Sequence, residues 1–216
     1  MDFVQNFPFF SIFLSMFSGT VSSVLPAKAA KWVNTFVIGA VGCMSAVLLV
    51  YLMGKGASYT YMMGHFPAPW GNEIRAGVLE AGMALFFCVI MLLSMMGGRK
   101  KLLGEVEYSK HNLYYILTDL LLSSLLALVY TNDLFTAYVF VEINTISACG
   151  LIMIRQNGRT IEAAVRYMIM SLLGSGLLLV GISMLYDMTG HLLMSNIKES
   201  VGEIVAHGEY QVPLVV

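Results

Sequence analysis

Six apolar stretches, each close to twenty residues long, limit this chain more than any other feature. They cover residues 3–25, 32–53, 78–96, 112–130, 134–154 and 163–187. A helix needs roughly 20 apolar residues to cross a hydrocarbon core of about 30 Å. Only helices and closed barrels satisfy every backbone polar group in lipid, and barrel strands are much shorter, about ten residues of alternating polarity. The runs therefore predict an all-α integral membrane protein with about six transmembrane helices. Composition agrees: 58% of residues are hydrophobic, 12% are charged, and the mean hydropathy is +0.77. Soluble domains are nearer half apolar and a quarter charged.

The joins set the topology. Lys28, Lys31, Arg99, Lys100, Lys101, Lys110, Arg155 and Arg159 fall on one side if the spans alternate, and Lys55, Arg75 and Lys198 on the other. The positive-inside rule then puts the first set in the cytoplasm and the N-terminus outside, in a cell (inner or cytoplasmic) membrane. The opening segment lacks the basic stretch of a cleaved signal peptide and reads as a retained span. Residues 1–190 form the predicted transmembrane domain, and 191–216 a C-terminal segment. In that segment Ile197, Val201, Ile204 and Val205 recur at helical spacing between charges, which predicts a short amphipathic helix. Tyr59, Tyr61, Phe66 and Trp70 in the loop before the third span suit a membrane–water boundary.

Several function classes drop out. The net charge of −1 gives no sign of nucleic acid as a partner. His65, His111, His191 and His207 are scattered, and Cys43, Cys88 and Cys149 lie singly in apolar runs. No metal site, cofactor site or catalytic centre is expected in this chain. The three cysteines read as small core residues.

Ionisable residues inside apolar runs are the candidates for function, because leaving a charge there costs several kcal/mol. There are four. Glu142 lies about 12 Å from the outer end of its span, with Asn144 and Thr145 beside it. Asp119 lies roughly 10 Å into the fourth span by the same rise. Glu80 is about one turn into the third span, where an interfacial position competes with a functional one. Arg166 stays charged at any physiological pH, so it can set a field for protons but cannot relay them. Glu162, four residues earlier, is placed to pair with it. Gly174, Ser175, Gly176 and Gly181 in the last span read as a close-packing surface.

These residues resemble a known family. "DLFTAYVFVEINTISACGLIMI" followed by "IEAAVRYMIMSLLGSGLLLVGISMLYDMTG" is similar to the antiporter-like membrane subunits of respiratory complex I, multi-subunit Na⁺/H⁺ antiporters and membrane-bound hydrogenases. Asp133, Leu134 and Phe135 match the start of one family span, and Glu142 falls on the family glutamate. Glu162, Ala163 and Tyr167 match the next motif, and "GHFPAPWGNEI" looks like the family loop before the third span. The resemblance covers roughly residues 55–195. It departs in three places. Arg166 replaces a lysine. Gly77 stands where an aspartate is usual, with Glu80 one turn on as a substitute. The family chains are also much longer and built of inverted repeats, of which this sequence holds only an opening part.

The resemblance implies a membrane subunit of a proton- or sodium-translocating redox or antiporter complex, of hydrogenase, NADH-quinone oxidoreductase or antiporter type. Its ion pathway would use Glu142, Arg166, Asp119 and Glu80, supported by Asn144, Thr145, Asp133 and Glu162. The expected partners are the lipid bilayer and other membrane subunits, including a chain that supplies the remaining antiporter-like helices and a lysine to face Glu142. The alternative is a non-conducting structural anchor of such a complex. A small stand-alone carrier is a third reading, for which polar residues are sparse.

Overall fold

A computed structural model describes residues 3–62 and 72–206. Helices α1 (Phe7–Val24), α2 (Ala27–Lys55), α3 (Val78–Gly104), α4 (His111–Tyr130), α5 (Leu134–Met153) and α6 (Gly158–Thr189) form an up-and-down bundle, and a shorter α7 (Met194–Ala206) follows. All six longer helices, some with a flanking 3-10 turn, are long and apolar enough to cross a membrane. Phe66, Trp70, His65 and His207, and most of the "GHFPAPWGNEI" motif, lie outside the described residues.

Local chemistry explains most boundaries. Pro8 sits in the first turn of α1, where its missing N–H is no loss. Pro26 separates α1 from α2 and caps the latter's start. Gly56 ends α2 at φ 65°, its N–H reaching Leu52 O at 2.8 Å, a left-handed cap that a Cβ would strain. At the start of α6, the Asn157 side chain accepts from the Thr160 N–H, and the Thr160 hydroxyl accepts from the Asn157 N–H. This reciprocal box starts α6 five residues before the apolar run predicted.

Two four-residue strands, β1 (Tyr59–Met62) and β2 (Glu73–Ala76), pair antiparallel with Tyr59 opposite Ala76. They stand where the sequence suggested an irregular loop. Strands this short carry too few residues for period-two alternation to register.

Helix α4 is the centre of the bundle. It packs on α1, α2, α3 and α5, and 56% of its span is buried, against 11% for α6. The apolar core lies between α2, α3 and α4, around Ile38, Leu48, Leu52, Cys88, Tyr115, Leu122 and Leu126. Between helices in lipid, close packing and hydrogen bonds replace the hydrophobic drive. Serines accordingly line the inner face of α1 at 11, 15, 18 and 22, all buried. Gly150 lets α5 approach α4 so closely that an added Cβ would lie 2.9 Å from Leu117 Cδ1. Within this chain nothing lies within 4 Å of a Cβ added at Gly174, Gly176 or Gly181, while Ser175 is buried. One expectation needs correction. Cys43 is exposed, while Cys88 is buried and Cys149 half-buried, because Cys43 falls on the outward side of α2.

The connections define two ends. One, the basic end, gathers the turns at 25–26, 105–110 and 154–157, where Arg155 pairs with Glu105 and Lys110 with Glu107. The other, the hairpin end, gathers β1, β2, the α4–α5 turn and the start of α7. Asn132 organises it. Its N–H donates to Glu73 O, its carbonyl accepts from Met194 N, and its Nδ2 donates to Glu73 Oε1 at 2.9 Å and Ser195 Oγ at 3.2 Å.

Candidate functional site

Glu142 sits on the third turn of α5, half-buried. Among the described residues no hydrogen-bond or ion-pair partner reaches its carboxylate. It lines a cavity of about 330 Å³ between α4, α5 and α6. The walls are largely apolar, with Leu113, Leu117, Ile146, Met153 and Leu172 among them, and Thr145 lies beside Glu142. At the basic end the cavity reaches Lys110 and Gln156, which bond to each other at 2.5 Å. A carboxylate in an apolar slot, with an amine at the far mouth, can take up or release a proton or attract a small cation.

The neighbouring polar residues tie helices together. Thr145 bonds Ser171 of α6 at 2.9 Å and Val141 O at 3.0 Å. Asn144 accepts from Ser124 of α4 at 3.3 Å. Asp133 caps α5, accepting from Thr136 N at 2.6 Å, a helix-starting role.

The other three intramembrane candidates stand apart from Glu142. Asp119 is fully buried between α1, α2 and α4; Ser18 Oγ donates to Oδ2 at 2.8 Å and Asn34 Nδ2 to Oδ1 at 2.6 Å. Arg166 pairs with Glu162 at 2.6 Å on the exposed face of α6, and neither lines the Glu142 cavity. Arg166 lies about 12 Å along a helix of about 48 Å, near the polar boundary of a 30 Å core. Glu80 is half-buried in the first turn of α3, where an acid suits the helix dipole. Its Oε2 occupies the space that a side chain at Gly77 would enter, 2.5 Å from an added Cβ.

Outside the spans, two groups titrate away from their ordinary values. The Lys110 ammonium, by hydrogen bond and then by charge, holds the Glu107 carboxyl low. Burial, and then nearby Tyr51, pushes the Tyr59 hydroxyl up; that hydroxyl donates to Gln5 O at 2.9 Å. Among the described residues no cluster of His, Cys, Asp or Glu could hold a metal ion. Reading the sequence missed Glu73, Asn132, Asn34 and Ser18. The serine spacing on α1 was the one visible signal for this group.

Known proteins share both sequence and fold. The family profile described as "NADH:quinone oxidoreductase/Mrp antiporter, TM" matches residues 131–213. The chain is 28% identical over 195 residues to NADH-quinone oxidoreductase subunit N of Desulforudis audaxviator, covering 89% of this chain and 38% of that protein. It is 26% identical over 164 residues to a Na(+)/H(+) antiporter subunit of Bacillus subtilis, covering 76% and 33%. Among solved structures, a chain of the Mrp complex from Dietzia sp. superposes with a TM-score of 0.78 at 18% identity, over 95% of this chain and 40% of that one. A chain of the archaeal membrane-bound sulfane sulfur reductase gives 0.74 at 24%, over 90% and 38%. This chain spans about a third of the length of the curated relatives it matches. The profile match over residues 131–213, the sequence identity to both kinds of subunit and the shared fold place it among the antiporter-like membrane proteins of the complex I/Mrp family.

Proposed function

We propose that the chain is a membrane subunit of a complex I/Mrp-type ion-translocating complex, and that Glu142 contributes to a proton or sodium pathway completed by a neighbouring polypeptide. One observation carries this reading. Glu142 is an acid inside a span, without a hydrogen-bond or ion-pair partner among the described residues, facing a cavity walled by α4, α5 and α6. Such a residue in lipid points to ion handling. The outward face of α6, almost bare of contacts within the chain, supports a neighbour on that side. In this reading the basic end faces the cytoplasm, so an impermeant thiol reagent should label a cysteine placed in the 105–110 loop only from that side.

The experiment is Glu142→Gln in the assembled complex, reconstituted in vesicles, with proton and sodium movement followed by dyes. Loss of movement with normal assembly is expected. Unchanged movement with normal assembly would sink the transport role. The second reading, a non-conducting anchor, draws on Arg166 being neutralised within its own helix and on Asp119 being hydrogen-bonded within the bundle. It expects Glu142→Gln to weaken assembly while each assembled complex moves ions at the normal rate.

A further inference from the structure

A carboxyl without a cation is enclosed where α1, α2 and α4 meet. Asp119 and Asn34 are 0% exposed and Ser18 is 3% exposed. The bonds to Asp119 come from neutral groups, Ser18 Oγ at 2.8 Å on Oδ2 and the Asn34 amide at 2.6 Å on Oδ1. Among the described residues no ion pair reaches it. Gly19, next to Ser18, lets α1 close on this point: a Cβ there would lie 3.5 Å from Asp119 Cβ and 3.5 Å from Ile116 O. Helix α1 brings no titratable side chain. On α2 the nearest in sequence to Asn34 is Lys31, whose ammonium lies 5.7 Å from the centre of the exposed Trp32 ring. On α4 it is Tyr115, one turn before Asp119.

Burial without a cation disfavours the ionised form of an acid. The protonated form needs a hydrogen-bond acceptor, and this junction holds two. A hydroxyl donates or accepts as its neighbour requires, so Ser18 can donate to a carboxylate Oδ2 and accept from Oδ2–H. Asn34 Oδ1 is buried and has no partner among the described residues. The oxygen and nitrogen of an amide have nearly the same shape, so with the amide turned over that oxygen accepts from Oδ1–H. The 2.6 Å separation of Asn34 and Asp119 suits an O–H···O bond, about 2.5–3.0 Å, better than an N–H···O bond, about 2.7–3.2 Å.

We propose that Asp119, Ser18 and Asn34 form a proton-binding site separate from Glu142. The two acids lie on different sides of α4. Asp119 meets α1 and α2, whereas Leu113 and Leu117 of α4 line the Glu142 cavity, to which Asp119 does not contribute. The ligand is one exchangeable proton. A hydronium ion gives that proton to a carboxylate oxygen of Asp119 and leaves water behind. The new O–H then donates to Ser18 or to the turned Asn34 amide, so the negative charge is removed while both contacts survive. The inference goes beyond the proposed function, because it requires no ion movement through Glu142.

Infrared spectroscopy of the assembled complex in membranes, grown with isotope-labelled aspartate, tests it. A protonated-carboxyl C=O band that moves on labelling should be present in the wild-type complex and vanish in Asp119→Asn. It should fade as alkali is added and return when the alkali is neutralised. Ser18→Ala removes one acceptor and should shift the band, and Asn34→Leu should shift it from the other oxygen. These two variants decide the matter if Asp119→Asn fails to assemble. A normally assembled complex with no band assignable to Asp119 would overturn the proposal and leave Asp119 an ionised structural acid. So would a band indifferent to both Ser18→Ala and Asn34→Leu, or one that alkali never removes, which marks a fixed acid and not a binding site. A missing Asp119 band would leave the proposed function standing, and unchanged ion movement in Glu142→Gln would leave this site standing.

Discussion

Asn34 on α2 donates its Nδ2 to Asp119 Oδ1 on α4 across 2.6 Å, at a point where neither residue is exposed. Ser18 closes the same carboxyl from α1 at 2.8 Å. One side chain thus joins three helices in surroundings where apolar contact gives little net drive to associate.

Removing that junction should weaken the bundle. Asp119→Leu strands the Ser18 hydroxyl and the Asn34 amide, and is expected to lower stability by about 1–3 kcal/mol. Asp119→Asn should cost less, since it keeps the shape and some of the bonding. Ser18→Ala combined with Asp119→Leu should cost less than the sum of the two, because they share one interaction. Denaturant titration in mixed micelles measures all three, and strict additivity would show the contact to be idle.

At the hairpin end, Asn132→Ala leaves Glu73, 8% exposed, without its amide donor and frees Ser195. The expected loss is about 1–3 kcal/mol. Its visible effect should be faster hydrogen exchange across Met194–Ala206, with the 111–130 helix unchanged. Equal exchange in α7 would count against the hub.

Acid should release the basic-end pair between Lys110 and Glu107. Glu107 titrates below its ordinary value when folded. Its stabilising contribution is therefore complete above the normal carboxylate range and fades as pH falls through the lower, folded value. The group is fully exposed, so salt should screen the effect. Lys110→Ala should return the Glu107 carboxyl towards its ordinary range, read by carbon NMR of labelled glutamate. No change would mean the pair is not formed in solution.

The spans were legible in the sequence because each needs only a run of apolar residues, and their edges were missed where polar caps extend the helix. Thr160 and Asn157 start α6 earlier than hydropathy alone indicates. The Glu162–Arg166 pair was legible too, as a contact four residues apart. Asp119 was not: it reads as an isolated acid, and its partners lie 101 and 85 residues away in sequence. Asn132 was hidden in the same way, since its importance comes from contacts with Glu73 and Ser195. The placement of Glu142 beside a cavity needed the packing of three helices, which no local pattern records.

Helix α6, about 48 Å long by its rise, packs chiefly on the shorter α5 and meets α7. Such a strut has one principal route for mechanical load. A tilt or bend imposed on it from outside is felt first by α5, and so by the helix that carries Glu142, before the rest of the bundle can respond.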